Sequence, residues 1–238
     1  MEIKLFTVPN CITLGNLLCG VASIISSLVY NDLQMAFAFV AASAVLDFLD
    51  GFTARLLKQY SAIGVQLDSL ADMVSFGVAP AIAMSVLCGA QPSLFGLSEE
   101  VCEWLVYLPL VIAALSALRL AKFNIDETQH DTFVGLPTPA SAIFCLSLAA
   151  LCERYGLTIE LEWLLLMSVL VAALLISPIE MFSFKFHEWG LGSMDNKLRY
   201  AFLIVSCLMI CLLRLYAIPL IIVMYIAVSV TRWIFKKR

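Results

Sequence analysis

Apolar residues in this chain fall into blocks of about the length a helix needs to cross a bilayer, roughly 20 residues, with short polar punctuation between them. The pattern predicts eight spanning segments. They run from about Ile12 to Tyr30, Gln34 to Leu57, Val65 to Leu87, Trp104 to Lys122, Pro137 to Cys152, Trp163 to Ile179, Leu198 to Leu213 and Ala217 to Trp233. Asn31-Asp32 ends the first, and a polar loop, Gly89 to Glu103, separates the third from the fourth. The first run follows Met1 to Phe6 with no small-residue cleavage site closing it, so it is expected to stay as a helix. The fold class expected is all-α, a polytopic membrane protein in a single transmembrane domain.

Composition strengthens that picture. The chain is 62% hydrophobic and 13% charged over 238 residues, whereas a soluble domain carries about a quarter charged residues. Its net charge of −4 says little about partners, because the side of the membrane on which each charge lies matters more than the sum. Placing the N-terminus in the cytoplasm and alternating the segments puts twelve of the 14 Lys and Arg inside, leaving only Arg154 and Arg214 outside. That is a strong positive-inside bias. Lys236-Lys237-Arg238 then reads as the cytoplasmic cap of the last helix, and nothing extends it into a nucleic-acid patch. The aromatic and basic residues between Glu180 and Lys197 read as an interfacial anchor. Of the eight cysteines, most lie in apolar segments without CxxC spacing and read as small hydrophobes. Cys88 and Cys102 flank one loop, and a disulfide between them is not expected.

One stretch breaks the apolar rule. Leu46 to Val78 carries Asp47, Asp50, Asp68 and Asp72, and ionisable side chains at membrane depth usually mark function. On a helix Asp47, Asp50, Gly51 and Ala54 share a face, as do Gly64, Asp68, Asp72 and then Ser75 or Phe76. A short cytoplasmic turn, about Lys58 to Gly64, makes the two helices antiparallel neighbours whose carboxylates converge. Four such groups repel unless cations compensate, and two divalent ions would nearly cancel them. Oxygen-only ligands suit Mg²⁺ or Mn²⁺, and a metal pair suits phosphoryl chemistry. Gly51 and Ala54 leave room for a ligand, and Arg55 can offer a fork to a phosphate. Small residues also serve as packing surfaces, and a lone Arg as a snorkelling anchor. On residue types alone, a phosphoryl-transfer enzyme and a cation-coupled transporter stand even.

The spacing goes further. Asp47-x2-Asp50-Gly51-x2-Ala54-Arg55-x8-Gly64-x3-Asp68-x3-Asp72 fixes eight residues over 26 positions and resembles the signature of the CDP-alcohol phosphotransferase family. The resemblance implies a six-helix core, here residues 1–179 with the motif at 47–72, and a homodimer. Residues 180–238 would add a cytoplasmic loop and two helices. It implies transfer of a phosphatidyl-type group from a CDP-lipid to an alcohol with release of CMP. It makes Asp47, Asp50 and Asp68 metal ligands, and Asp72 the general base that also touches a metal. Gly51, Ala54 and Arg55 would line the CDP site. Pro9-Asn10-x2-Thr13-x2-Asn16 resembles the family's first-helix entry, which makes Asn10, Thr13 and Asn16 further CDP contacts; helix capping by Asn10 and packing by Thr13 account for them equally well.

Two later stretches bear on the acceptor. Arg119 to Asn124 and Phe133 to Ala140 resemble the RLARFN and FxGLPxPxA patterns of bacterial-type integral-membrane phosphatidylserine synthases, with Lys122 in place of the usual Arg. That change keeps the charge and loses bidentate geometry. The resemblance implies CDP-diacylglycerol and L-serine as substrates, at an inner membrane with the active site facing the cytoplasm. Arg119, Lys122 and Asn124 are the hypothesised serine contacts; positive-inside anchoring is the competing account of the two cations. The remaining alternatives are a phosphatidylglycerophosphate, phosphatidylinositol-phosphate or archaetidylserine synthase, or, from a different class, a cation-coupled transporter. His130 and His187 carry no expected role.

Overall fold

A computed structural model describes residues 5–91, 97–125, 133–182 and 194–236. Its helices are α1 (Val8–Leu28), α2 (Leu33–Leu56), α3 (Ala62–Asp72), α4 (Ala79–Gly89), α5 (Glu99–Leu105), α6 (Val111–Ile125), α7 (Thr138–Tyr155), α8 (Leu161–Leu175), α9 (Met194–Leu213) and α10 (Ala217–Lys236). A π-helical turn, Met73–Val78, joins α3 to α4 without a break, and a 3₁₀ turn at Leu108–Leu110 leads into α6. His130, His187 and most of the aromatic and basic loop after Glu180 lie outside the described residues.

Helix boundaries follow local chemistry. Thr7 caps α1 by accepting from the Asn10 amide at 3.3 Å, so Asn10 sits inside the helix and is not its cap. Asp32 caps α2 through the Met35 amide at 2.7 Å. Ser61 caps α3 through the Gly64 amide at 3.0 Å. These side-chain oxygens satisfy amides that the first helical turn leaves without partners.

Among the described residues, five runs are long and apolar enough to cross a membrane: Val8–Leu28, Leu33–Leu56, Ala62–Gly89, Glu100–Ile125 and Asn196–Lys236. The last, 41 residues long, turns back on itself at Arg214–Tyr216. Phe202 and Tyr225 meet across that turn with ring centroids 6.3 Å apart, so α9 and α10 lie side by side. The eight expected segments thus correspond to eight helical rods, although α8, at 15 residues, is shorter than a full span. Phe76, Met84, Ile112, Leu146, Leu164 and Leu175 fill the interior, while Phe48, Leu70, Trp104, Leu118, Ile204 and Leu212 face outward. Apolar exposure on this scale suits lipid and would be a liability in water. The chain is an all-α polytopic membrane protein.

One feature departs from the expected pattern. Phe133–Val134 and Glu180–Met181 form an antiparallel pair of two-residue strands, β1 and β2. Pairings this short and this far apart in sequence leave no periodicity to detect. Among the described residues no disulfide joins Cys88 to Cys102.

Charge separates to the two ends of the bundle. At the start of α2, far from its aspartates, Glu153 accepts the Leu33 and Gln34 amides at 3.2 and 2.9 Å. Arg154 reaches Gln34 at 3.3 Å. Tyr155 stacks on Tyr216 at 4.8 Å, which brings Arg214 to this end too. The opposite end carries Arg55, Lys58, Arg119 and Lys122, together with the 2.5 Å ion pair between Lys236 and Glu180.

Candidate active site

Three helices meet at the cation-rich end. α2 supplies Asp47 and Asp50 near its C-terminus, and α3 returns after a five-residue turn with Asp68 and Asp72. Lys58, at φ +54°, takes the left-handed conformation that lets this turn stay short. Carboxylate oxygens of Asp47, Asp50 and Asp68 lie within 4.8 Å of one another. Two like charges at that distance repel by about 3 kcal/mol at an effective dielectric near 20. A cluster of three is therefore strained unless a cation joins it. Asp68 Oδ1 is buried and lacks a hydrogen-bond partner among the described residues, which is what a ligand oxygen looks like without its ion. The donor set is all oxygen and fits a divalent ion of the Mg²⁺ or Mn²⁺ kind. Asp72 lies beside Asp47 but outside the triplet.

The first helix holds these carboxylates in place. Thr13 Oγ1 donates to Asp50 Oδ2 at 2.7 Å, and Asn16 Nδ2 donates to Asp72 Oδ1 at 3.2 Å. Both side chains are buried. Two of the three first-helix residues expected at the nucleotide therefore reach the aspartates. The third, Asn10, donates from Nδ2 to the Leu5 carbonyl at 2.8 Å and packs near Gly64. The sequence signal for these contacts was the Asn10-x2-Thr13-x2-Asn16 spacing, which lines one helix face; their target was not legible in it.

On the outer side of the cluster, a side chain at Gly51 would meet nothing within 4 Å. Gly51 and half-buried Ala54 thus border an open approach to the carboxylates. Arg55 is exposed, and its Nε donates to the Gly51 carbonyl at 3.0 Å.

The three residues expected at the acceptor divide between two places. Arg119 and Lys122 line a cavity of about 340 Å³ with Val134, Leu175, Ile176 and Ser177. Arg119 Nη1 donates to Thr138 Oγ1 at 3.4 Å, while its buried Nε has no partner among the described residues. Its charge lies within electrostatic reach of Asp72. Asn124 points the other way, with Nδ2 donating to Ser69 Oγ at 2.8 Å beside a separate cavity of about 470 Å³.

The wall of the first cavity depends on the Gly135 backbone. Gly135 has φ +81°, and a Cβ there would overlap the Leu175 carbonyl group. Its amide donates to Ile179 at 2.9 Å, and the Leu136 amide donates to Leu174 at 2.9 Å. Only glycine combines that conformation with so close an approach. α10 then pins β2: Tyr225 Oη donates to the Phe182 carbonyl at 3.1 Å, and Ser229 Oγ accepts the Phe182 amide at 3.1 Å. Sequence reasoning passed over Tyr225 and Ser229, which look like ordinary residues of an apolar helix.

Comparison with known proteins adds the chemistry of relatives. A family profile described as CDP-alcohol phosphatidyltransferase matches residues 6–176. A protein of Helicobacter pylori named CDP-diacylglycerol–serine O-phosphatidyltransferase is 32% identical over 236 residues, covering 97% of this chain and 92% of that protein. One of the same name from Bacillus subtilis is 38% identical over 140 residues, covering 58% of this chain and 72% of its own length. A third so named, from Methanocaldococcus jannaschii, is 28% identical over 177 residues, 74% of each.

Proposed function

Because the chain belongs to the CDP-alcohol phosphatidyltransferase family, an enzyme class and not a transporter, we propose that it transfers the phosphatidyl group of CDP-diacylglycerol to the hydroxyl of L-serine. The products are phosphatidylserine and CMP. The observation that carries this reading is the convergence of the Asp47, Asp50 and Asp68 oxygens beside an Asp72 that lies within electrostatic reach of half-buried Arg119.

Asp47, Asp50 and Asp68 would hold divalent metal, enough for two ions if Asp72 beside Asp47 served as a further ligand. Bound metal supplies charge neutralisation for the diphosphate and its leaving oxygen. Gly51 and Ala54 admit the CDP diphosphate along the open side of α2, where Arg55 swings from its own helix to meet a phosphate oxygen. Asn10, Thr13 and Asn16 border the nucleotide from α1 while steadying the carboxylates. Asp72 accepts the proton of the serine hydroxyl. That oxygen forms a bond to the lipid-side phosphorus as the bond to the bridging oxygen breaks, and CMP leaves with it.

Serine's carboxylate pairs with Arg119, whose unpartnered Nε opens a place for a charge-assisted hydrogen bond, and Lys122 adds a second cation across the same cavity. The support for serine over other alcohols is the cavity lined by Arg119 and Lys122, where the Arg119 Nε is buried, together with the names of the relatives. Asn124 acts at one remove, tying α6 to α3 through Ser69. Residues up to about 179 form the six-helix core, with α9 and α10 as additions. The site faces the cytoplasm, as its cation-rich end suggests, and the enzyme acts as a homodimer, which crosslinking in native membranes tests.

The reading is tested with purified protein and the variant Asp72→Asn. Metal-dependent release of CMP that requires serine, and that disappears in the variant, is expected. CMP release of wild-type size from Asp72→Asn would overturn the role given to Asp72.

A further inference from the structure

Asn16, Ser43 and Ser75 come from α1, α2 and the π-helical turn, and all three are fully buried. Asn16 donates from Nδ2 to Asp72 Oδ1 at 3.2 Å. A carboxamide is nearly symmetric in shape, with two hydrogens on one side and an acceptor oxygen on the other. If it turned over, Asn16 would aim its oxygen at the carboxylate and repel it. What holds the amide the right way round is the hydroxyl of Ser43, which donates to Asn16 Oδ1. That hydroxyl has only one hydrogen, and a second acceptor, the Asn16 backbone carbonyl, lies 3.2 Å away. Ser75 Oγ already donates to that carbonyl at 3.0 Å, and the side-chain oxygen is the nearer of the two acceptors open to the Ser43 hydrogen.

From this we infer that Ser43 is a positioning residue for phosphatidyl transfer, acting through the Asn16 amide to orient the Asp72 carboxylate. The inference rests on the reading of Asp72 given above. Ser43 lies four residues before Asp47, so the helix that carries two carboxylates of the triplet also sets the orientation of Asp72. The π-helical turn has a definite part in this. It begins directly after Asp72 and brings Ser75 inward against α1, where a side chain at Gly20 would overlap it. Wide turns of this kind recur at functional sites.

The test uses the full-length protein in mixed micelles with CDP-diacylglycerol and L-serine, measuring kcat and both KM values. Ser43→Ala is expected to lower kcat about tenfold with both KM values within about twofold, and Asn16→Ala to lower it about a hundredfold. Because Ser43 acts through Asn16, the double variant should be no slower than Asn16→Ala alone. Ser43→Cys, which keeps a weak donor of similar size, should fall between wild type and Ser43→Ala, and it carries the test if the alanine variant does not fold. Multiplying effects in the double variant, unchanged kcat in Ser43→Ala, or a raised KM for CDP-diacylglycerol would overturn the inference. Asp72→Asn is run alongside. An active Asp72→Asn removes the underlying reading and this inference with it, whereas an inactive Asp72→Asn beside a normal Ser43→Ala removes the inference alone.

Discussion

The two halves of the site are built in different ways. The aspartate half comes from consecutive helices joined by a five-residue turn, with α1 against them, and its partners recur at one-turn spacing. The half proposed to take the acceptor is assembled from α6, the Gly135–Thr138 backbone, the end of α8 and a strand pair pinned by α10. The first concentrates charge on short connections, and the second depends on contacts between remote segments. Damage to the first should abolish the reaction for any acceptor. Damage to the second should change how well serine competes while leaving the donor untouched.

The largest effect expected is in the first half. Asp50→Asn or Asp68→Asn should lower CMP release at least about a thousandfold with every acceptor, since a carboxylate proposed to hold the metal is lost. Loss of activity with serine only, measured in the same assay, would break the division. Next comes Arg119→Ala, which should raise the KM for serine about 30- to 100-fold, the worth of a charged hydrogen bond. The KM for CDP-diacylglycerol should stay within about threefold, and equal changes in the two would contradict the assignment.

Gly135→Ala forces a side chain into a left-handed conformation against the Leu175 carbonyl. It should destabilise the fold by about 2 kcal/mol, read as a lowered unfolding midpoint, and weaken serine use as the cavity wall shifts. Thr13→Val removes the hydroxyl that donates to Asp50. About a tenfold rise in the Mg²⁺ or Mn²⁺ concentration for half-activation is expected, as for other residues that orient metal ligands. Tyr225→Phe should have the smallest effect, about 1 kcal/mol of stability with a few-fold rise in the KM for serine. A larger change in donor KM would mean that α10 serves the wrong half.

The same contrast governs what could be read from the chain. The aspartates announced themselves because four charges in apolar sequence have no cheap structural explanation, and their spacing placed them on facing helices. The eight apolar blocks likewise mapped onto eight rods, with ends moved by a few residues where Thr7, Asp32 and Ser61 supply caps. Thr13 and Asn16 were noticed through the resemblance of their spacing to a family motif, but their contact with Asp50 and Asp72 depends on how α1 packs. Arg119 and Lys122 emerged together, while Asn124 went to another cavity, because two residues beyond Lys122 a helix has turned roughly 200°. β1, β2, Tyr225 and Ser229 were not legible. Each matters through one partner distant in sequence, and a single chain gives no sign of such pairings.

The central claim is the pairing of this aspartate site with serine as acceptor. It is tested most directly by offering purified protein CDP-diacylglycerol and a divalent ion, with labelled L-serine, glycerol phosphate or inositol phosphate in turn, and measuring both CMP and the labelled lipid. The account predicts equal amounts of CMP and labelled phosphatidylserine with serine, background with the other two, and nothing once the metal is chelated. Labelled lipid from either phosphate-bearing alcohol in preference to serine would contradict it.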